Sequence, residues 1–280
     1  MSVTLSDQKV VIFFGSSSAE IYFFGATVTS WKVNGTEKLF LSSKAVLDGS
    51  KAVRGGIPLV FPHFGPNPEF GLPQHGFARL SRWSWVGTQT VNESETSVAF
   101  SLDPSGVAPA LAGKWPHQFK LVYTVTLTPQ TLKTSLSAEN TGSAPFNFTS
   151  LLHSYFAVDD IDNAKIKGLQ GKIYDEKINN KSQVVEENEL VGFSAEVDRV
   201  YYNVGKAGVS IVENGATVTS LTTSGFDDVV VWNPWVEKSL GMNDFQEAGY
   251  KVMVCVEVGQ VGTPVVLKAG EKWVGEQLLR

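Results

Sequence analysis

The sequence predicts an all-β protein, a large antiparallel β-sandwich, and three observations carry that prediction. β-branched and aromatic residues gather in short runs of roughly five to eight positions that end at Gly, Asn, Asp or Pro. Amphipathic helical spacing is scarce, with a turn or two of helix expected in GGIPLVFPHFG (55–65) and SLGMNDFQE (239–247). An apolar content of 42% over 280 residues supplies a large core, and strands of one character continue to the end of the chain. One domain spanning 1–280, built as two packed sheets, is therefore expected.

Taken in order, KVVIFF (9–14) and AEIYFFGATVTSWKV (19–33) read as strands, followed by a tight turn at Asn34-Gly35. RGGIPLVFPHFG (54–65) and LPQHGFAR (72–79) break the pattern. Their glycines and prolines hold irregular backbone, so the two segments read as a rigid polar loop wall for a small ligand. TSVAFSL (96–102) returns to strand, and LDPSGVAPALAGKWPHQ (102–118) reads as an excursion over the sheets. FKLVYTVTLT (119–128), TLKTSLSAEN (131–140) and FNFTSLLHSYF (146–156) follow as strands, with Thr141-Gly142 as a hairpin or tight-turn connection. The polar stretch 174–203 is expected to form edge strands and solvated loops. GVSIVEN (208–214) and ATVTSLTT (216–223) flank a turn at Asn214-Gly215, and DVVVWNP (228–234) and YKVMVCVEVG (250–259) complete the set.

Charge and cysteine usage narrow the functional classes. With 23 basic against 28 acidic residues, the net charge of −5 gives no general field for nucleic acid or an anionic membrane, so any bound anion must be held by local groups. The single cysteine, Cys255, has no intrachain partner and lies in apparent strand interior, which points to a reducing cytoplasm. Neither a secretion signal nor a membrane span is expected, because the N-terminal apolar run is too short.

Among groups capable of chemistry, Glu257 interrupts the face formed by Met253, Cys255 and Gly259. Partial burial there would raise its pKa toward that of a general base; a structural ion pair or a solvent-facing strand end is the alternative. His153 shares a strand face with Leu151 and Tyr155, and is either a proton-transfer group or a satisfied core histidine. Arg54 and Arg79 are suited to a bidentate grip on an anion, with Arg82 as a helper, or else they buttress loops through backbone carbonyls. Asp198 is a candidate acceptor for sugar hydroxyls or a surface partner of Arg199. His63, His75 and His117 show no metal-ligand spacing, and neither a nucleotide-binding glycine loop nor a serine-nucleophile elbow is present, so no metal and no cofactor are expected.

Together, RGGIPLVFPHFG, LPQHGFAR, LLHSYFAVDDI, EVDRVYYN, DVVVWNPW and MNDFQEAGYKVMVCVEVG resemble the glucose-6-phosphate 1-epimerase family of the galactose-mutarotase-like superfamily. The resemblance implies a single β-sandwich with a cleft on one sheet, His153 and Glu257 as catalytic groups, and Arg54, Gln74, His75, Arg79 and Asp198 as substrate-binding residues. It further implies an enzyme that interconverts the α and β anomers of hexose 6-phosphates without cofactor; separately, a single domain of this size needs no partner to complete a core, so a cytoplasmic monomer is expected. An aldose 1-epimerase for unphosphorylated hexoses and a non-catalytic sugar-phosphate-binding protein are the alternative readings.

Overall fold

A computed structural model describes residues 1–206 and 208–280. Two large antiparallel sheets face each other. One has nine strands in the order Leu190–Val191, Ala164–Lys167, Val209–Glu213, Ala216–Ser224, Lys272–Leu279, Leu132–Asn140, Phe119–Leu127, Thr96–Leu102 and Ser84–Val91. The other has eight, running Lys181–Val185, Ile173–Glu176, Val197–Tyr202, Asp228–Asn233, Met253–Leu267, Phe146–Leu152 and Leu59–Val60, with Tyr155–Ala157 also paired to Met253–Leu267. Strand alternation sorts the long central strand: Val254, Val256 and Val258 enter the core between the sheets, while Met253 and Cys255 join a second apolar cluster on the opposite face. Glu257 shares that second face.

The architecture differs from the two-sheet expectation in one respect. The five strands Ser2–Leu5, Lys9–Phe14, Ser17–Tyr22, Val28–Val33 and Thr36–Glu37 form a sheet of their own, whose apolar side packs into the common core through Val10, Ile12, Ile21 and Trp31. The two Asn-Gly turns close hairpins, with both residues at positive φ (50° and 83° at 34–35, 49° and 82° at 214–215), as a type I′ turn needs. Thr141-Gly142 instead carries the chain from one large sheet to the other, and Asn140 Oδ1 accepts the Gly142 N–H at 2.9 Å. GGIPLVFPHFG contributes the strand Leu59–Val60 rather than helix, and the short helix Trp235–Leu240 begins ahead of the stretch expected to hold it. Within 174–203 the edge strands are present, but Val197–Tyr202 lies inside its sheet.

The loop wall is anchored from behind. Phe61 and Phe77 are fully buried, and the excursion over 102–118 drops Trp115 onto them, with ring centroids 5.4 Å and 6.0 Å away. Each such ring contributes about 1.5–3 kcal/mol on burial. Glycine is obligatory at two points of the wall. Gly56 (φ 66°) and Gly76 (φ 73°) lie so close to the carbonyls of Val28 and Phe61 that a Cβ at either position would overlap backbone.

Candidate active site

Strand register brings the two candidate proton-transfer groups together. Leu151 pairs with Gly259 and Tyr155 with Cys255, and the same frame sets His153 opposite Glu257. On its other edge His153 is held by the loop wall: its N–H donates to the Pro58 carbonyl at 3.0 Å, and the Tyr155 N–H donates to Gly56 at 2.9 Å. The next strand out places Val230 across from Glu257, and Trp232 stands between Cys255 and Asp198. These side chains floor a cleft of about 470 Å³ whose lining also includes Arg54, Phe64, Gln74, His75, Arg79, Lys177, Lys238 and Met242.

His153 Nδ1 lies 3.3 Å from Glu257 Oε1. Neither that nitrogen nor Glu257 Oε2 has a hydrogen-bond partner, although both atoms are buried. The imidazole is clamped by a parallel stack on Tyr155 (4.8 Å, 10°) and by the perpendicular ring of Trp232 at 6.0 Å. With Nδ1 toward the carboxylate, Nε2 is the nitrogen available to a ligand. Burial pushes the Glu257 carboxyl well above its ordinary pKa, with the charge of Asp198 adding to the rise and Arg79 opposing it. Burial likewise drives His153 well below its ordinary value, helped by His75, Arg79 and Arg54. Both shifts favour the uncharged forms of the two groups.

His75 takes a different part. Gly65 donates its N–H to His75 Nδ1 at 3.1 Å, while the His75 N–H donates to the Gly65 carbonyl at 2.9 Å. The reciprocal pair closes the wall and holds His75 at a left-handed φ of 67°. Accepting at Nδ1 leaves the neutral ring protonated at Nε2, so the neighbouring Gln74 amide at 3.3 Å is assigned with its oxygen toward the ring. Desolvation first, then Arg79, His63 and Arg54, lowers the His75 pKa to about 3, and it stays a neutral donor through the physiological range.

The guanidinium groups are partly committed to protein. Arg54 Nε reaches Asp244 at 3.2 Å, and its Nη1 donates to the Tyr155 hydroxyl at 3.2 Å. Arg79 Nη2 donates to the Gln74 carbonyl at 2.8 Å, while its buried Nε has no partner. Burial lowers the Arg79 pKa to about 10, so it remains charged at neutral pH. Asp198 faces the cleft, its pKa raised chiefly by burial, with Lys238 4.0 Å away.

Arg82 does not join the others. Its Nη2 donates to the Asp7 carbonyl and its guanidinium lies over Phe23 at 5.1 Å, outside the cleft lining. Lys177, Lys238 and the arginine-holding Asp244 carry no sequence signal for a cleft, because they lie in a polar stretch, on a short helix and in the irregular segment that follows it. Among the described residues, the grouping of metal-ligating side chains close enough to share an ion is His153, Cys255 and Glu257, whose ligand atoms lie within 4.8 Å of one another. No helix among those residues is long and apolar enough to cross a membrane.

Residues 8–280 match the family model described as aldose 1-epimerase. The chain belongs to the aldose 1-epimerase family. It is 39% identical over 266 residues to a Cenchrus ciliaris protein named "Putative glucose-6-phosphate 1-epimerase", covering 92% of this chain and 79% of the relative. A Salmonella typhimurium protein of the same name is 34% identical over 243 residues, covering 86% of this chain and 79% of the relative. The crystal structure of a Salmonella typhimurium protein named "a putative mutarotase" superposes with a TM-score of 0.87 at 31% identity, over 99% of this chain and 92% of that one. A galactose mutarotase related enzyme from Lactobacillus acidophilus has a TM-score of 0.74 at 14% identity, over 97% of this chain and 96% of that one, and shares the fold. As an epimerase of this family, the protein acts on sugars, and its cleft face is where two buried titratable groups meet.

Proposed function

We propose that the protein interconverts the α and β anomers of D-glucose 6-phosphate and related hexose 6-phosphates, with His153 and Glu257 as catalytic groups. The observation that carries this reading is the opposed pair itself, one orphaned carboxylate oxygen and one orphaned imidazole nitrogen, buried 3.3 Å apart at their near atoms in a sugar-sized cleft. Ring opening removes the C1 hydroxyl proton and delivers a proton to the ring oxygen. Glu257 Oε2 accepts the first, and His153 Nε2–H donates the second. The Oε1–H proton of Glu257 passes to His153 Nδ1, so C1=O forms and the C1–O5 bond breaks without charge separation in the pair. After rotation about C1–C2, the same transfers run backwards and close the ring on the other face. His75, Gln74 and Asp198 hold hydroxyls in place.

The phosphate assignment rests on local charge. Arg54, Arg79, Lys177 and Lys238 line the cleft against Asp198 and Glu257, a cationic balance on a chain whose net charge is −5. Arg54 and Arg79 both retain N–H donors beyond those given to protein. A second reading, an epimerase of neutral hexoses, draws on the donors that both arginines do give to Asp244, Tyr155 and Gln74. Polarimetry with glucose 6-phosphate and with glucose separates the two: a higher kcat/KM for the phosphorylated sugar supports the proposal, and a preference for glucose overturns the phosphate assignment. Glu257→Gln should lower kcat by about 10²–10⁴-fold while still binding sugar phosphate. Unchanged turnover would remove the general base, and binding without any acceleration by the wild-type protein would leave a sugar-phosphate-binding module.

A further inference from the structure

Behind the cleft lining lies one more potential ligand that proton transfer does not use. Cys255 is two residues before Glu257 on the same strand face and pairs across the sheet with Tyr155, and its thiol lies within 4.8 Å of ligand atoms of both His153 and Glu257. It is the chain's single cysteine and is fully buried. His153 and Glu257 are also buried and both open to the cleft, and each keeps an atom without a partner.

We propose that His153, Cys255 and Glu257 form a three-ligand site for a thiophilic divalent cation such as Zn²⁺, which on binding competes with the sugar for the catalytic pair. Bond lengths of about 2.3 Å to sulfur and about 2.0–2.2 Å to nitrogen and oxygen, at tetrahedral angles, set ligand atoms about 3.3–3.6 Å apart. His153 Nδ1 and Glu257 Oε1 already stand at 3.3 Å, and the full set lies within 4.8 Å, so the remaining adjustment is about 1 Å at the outer separations. Charge balance favours the ion. Bound as thiolate and carboxylate, Cys255 and Glu257 cancel the two positive charges of the ion in a site where burial penalises any net charge. A thiolate, an imidazole and a carboxylate together select zinc, cadmium or cobalt over magnesium or calcium. Two of the three ligands, His153 and Glu257, line the cleft, which gives an ion held there a route to water or a sugar hydroxyl.

The inhibitory consequence rests on the proposed function; the binding itself does not. Co²⁺ or Cd²⁺ is titrated into the full chain without sugar, and the thiolate-to-metal charge-transfer band is followed in the near ultraviolet. With one cysteine, that band can arise only from Cys255. The expected result is a saturable band at one ion per chain, abolished in Cys255→Ser and reversed by chelator. In Glu257→Gln and His153→Gln the half-saturation point should rise by more than the about 10- to 100-fold typical of losing an outer-shell partner. Circular dichroism of each variant confirms the folded state, and wild-type epimerase rate should fall with added Cd²⁺ in a manner relieved by excess sugar phosphate. No band at saturating ion in folded wild-type protein, or a band that Glu257→Gln and His153→Gln leave unshifted, overturns the site. A normal band in a protein that does not accelerate anomer exchange would refute the proposed function alone.

Discussion

Asp244 is expected to act on sugar phosphate binding through Arg54 without touching the ligand. Its side chain is 5% exposed and reaches Arg54 Nε at 3.2 Å and Lys51 Nζ at 2.8 Å. Burial alone would raise its pKa, yet Lys51 and Arg54 together hold it below the ordinary carboxylate value, so it is anionic at neutral pH. Asp244→Asn keeps the shape and removes the charge. A hydrogen bond to a charged group contributes about 1.5–3 kcal/mol, whereas the Lys51 arm, 45% exposed, adds at most about 1 kcal/mol after solvent screening. If half of the Arg54 contribution is spent on aiming the guanidinium into the cleft, KM for glucose 6-phosphate rises about 3- to 12-fold, at 1.4 kcal/mol per factor of ten. The value of kcat should change little, because the lost interaction holds ground state and transition state alike. The decisive assay is a double-mutant cycle by polarimetry. Once Arg54→Ala has removed the guanidinium, Asp244→Asn should add almost nothing to KM. Fully additive effects, or a fall in kcat at unchanged KM, would refute the argument that Asp244 acts through Arg54.

Arg82→Ala should leave KM for glucose 6-phosphate within about twofold, since its guanidinium is engaged with Asp7 and Phe23; a tenfold rise would return it to the phosphate site. Glu257→Gln should melt higher than wild type at pH 8 but equally at pH 4, by thermal unfolding. Its folded pKa lies above the unfolded one, so the stability it contributes is complete in acid and is lost as pH rises through the folded value. His75 shifts the opposite way, to about 3, so the stability linked to it is present above about pH 6.5 and drains as pH falls toward 3; His75→Gln should flatten the acid limb of a Tm–pH curve. Trp115→Ala should cost about 3–5 kcal/mol in denaturant unfolding, because the ring fills the space behind Phe61 and Phe77 that keeps the loop wall in place.

Much of this was legible from residue order, and the reasons differ by element. Runs such as KVVIFF and FKLVYTVTLT appear as strands because β-branched alternation is a local property, and the Asn-Gly turns appear because left-handed backbone at two successive positions leaves few residue choices. The separate N-terminal sheet and the crossing at Thr141-Gly142 were not legible, since which sheet a strand joins depends on partners distant in the chain. Arg82 was grouped with Arg79 on nearness in sequence, but the 3-10 turn at Ala78–Leu80 and the extended residue Ser81 send the two side chains apart. Lys177 and Lys238 reach the cleft from an irregular segment and from a helix of six residues, neither of which marks a site by pattern.

The pairing of His153 with Glu257 shows what register adds to residue type. Each was suspicious alone, as an acidic or basic group on an otherwise apolar strand face. Only the antiparallel frame running from Leu151–Gly259 to Tyr155–Cys255 makes them cross-strand neighbours, and a slip of one residue would turn one of the two to the opposite face. The same burial then shifts the two groups in opposite senses, raising one and lowering the other, and so favours the uncharged form of each. A separated carboxylate and imidazolium would have to be stabilised against desolvation at every turnover. A proton handed along the neutral pair, as proposed for this cleft, requires no such charges, so the burial of both groups favours a relay over stepwise ionisation.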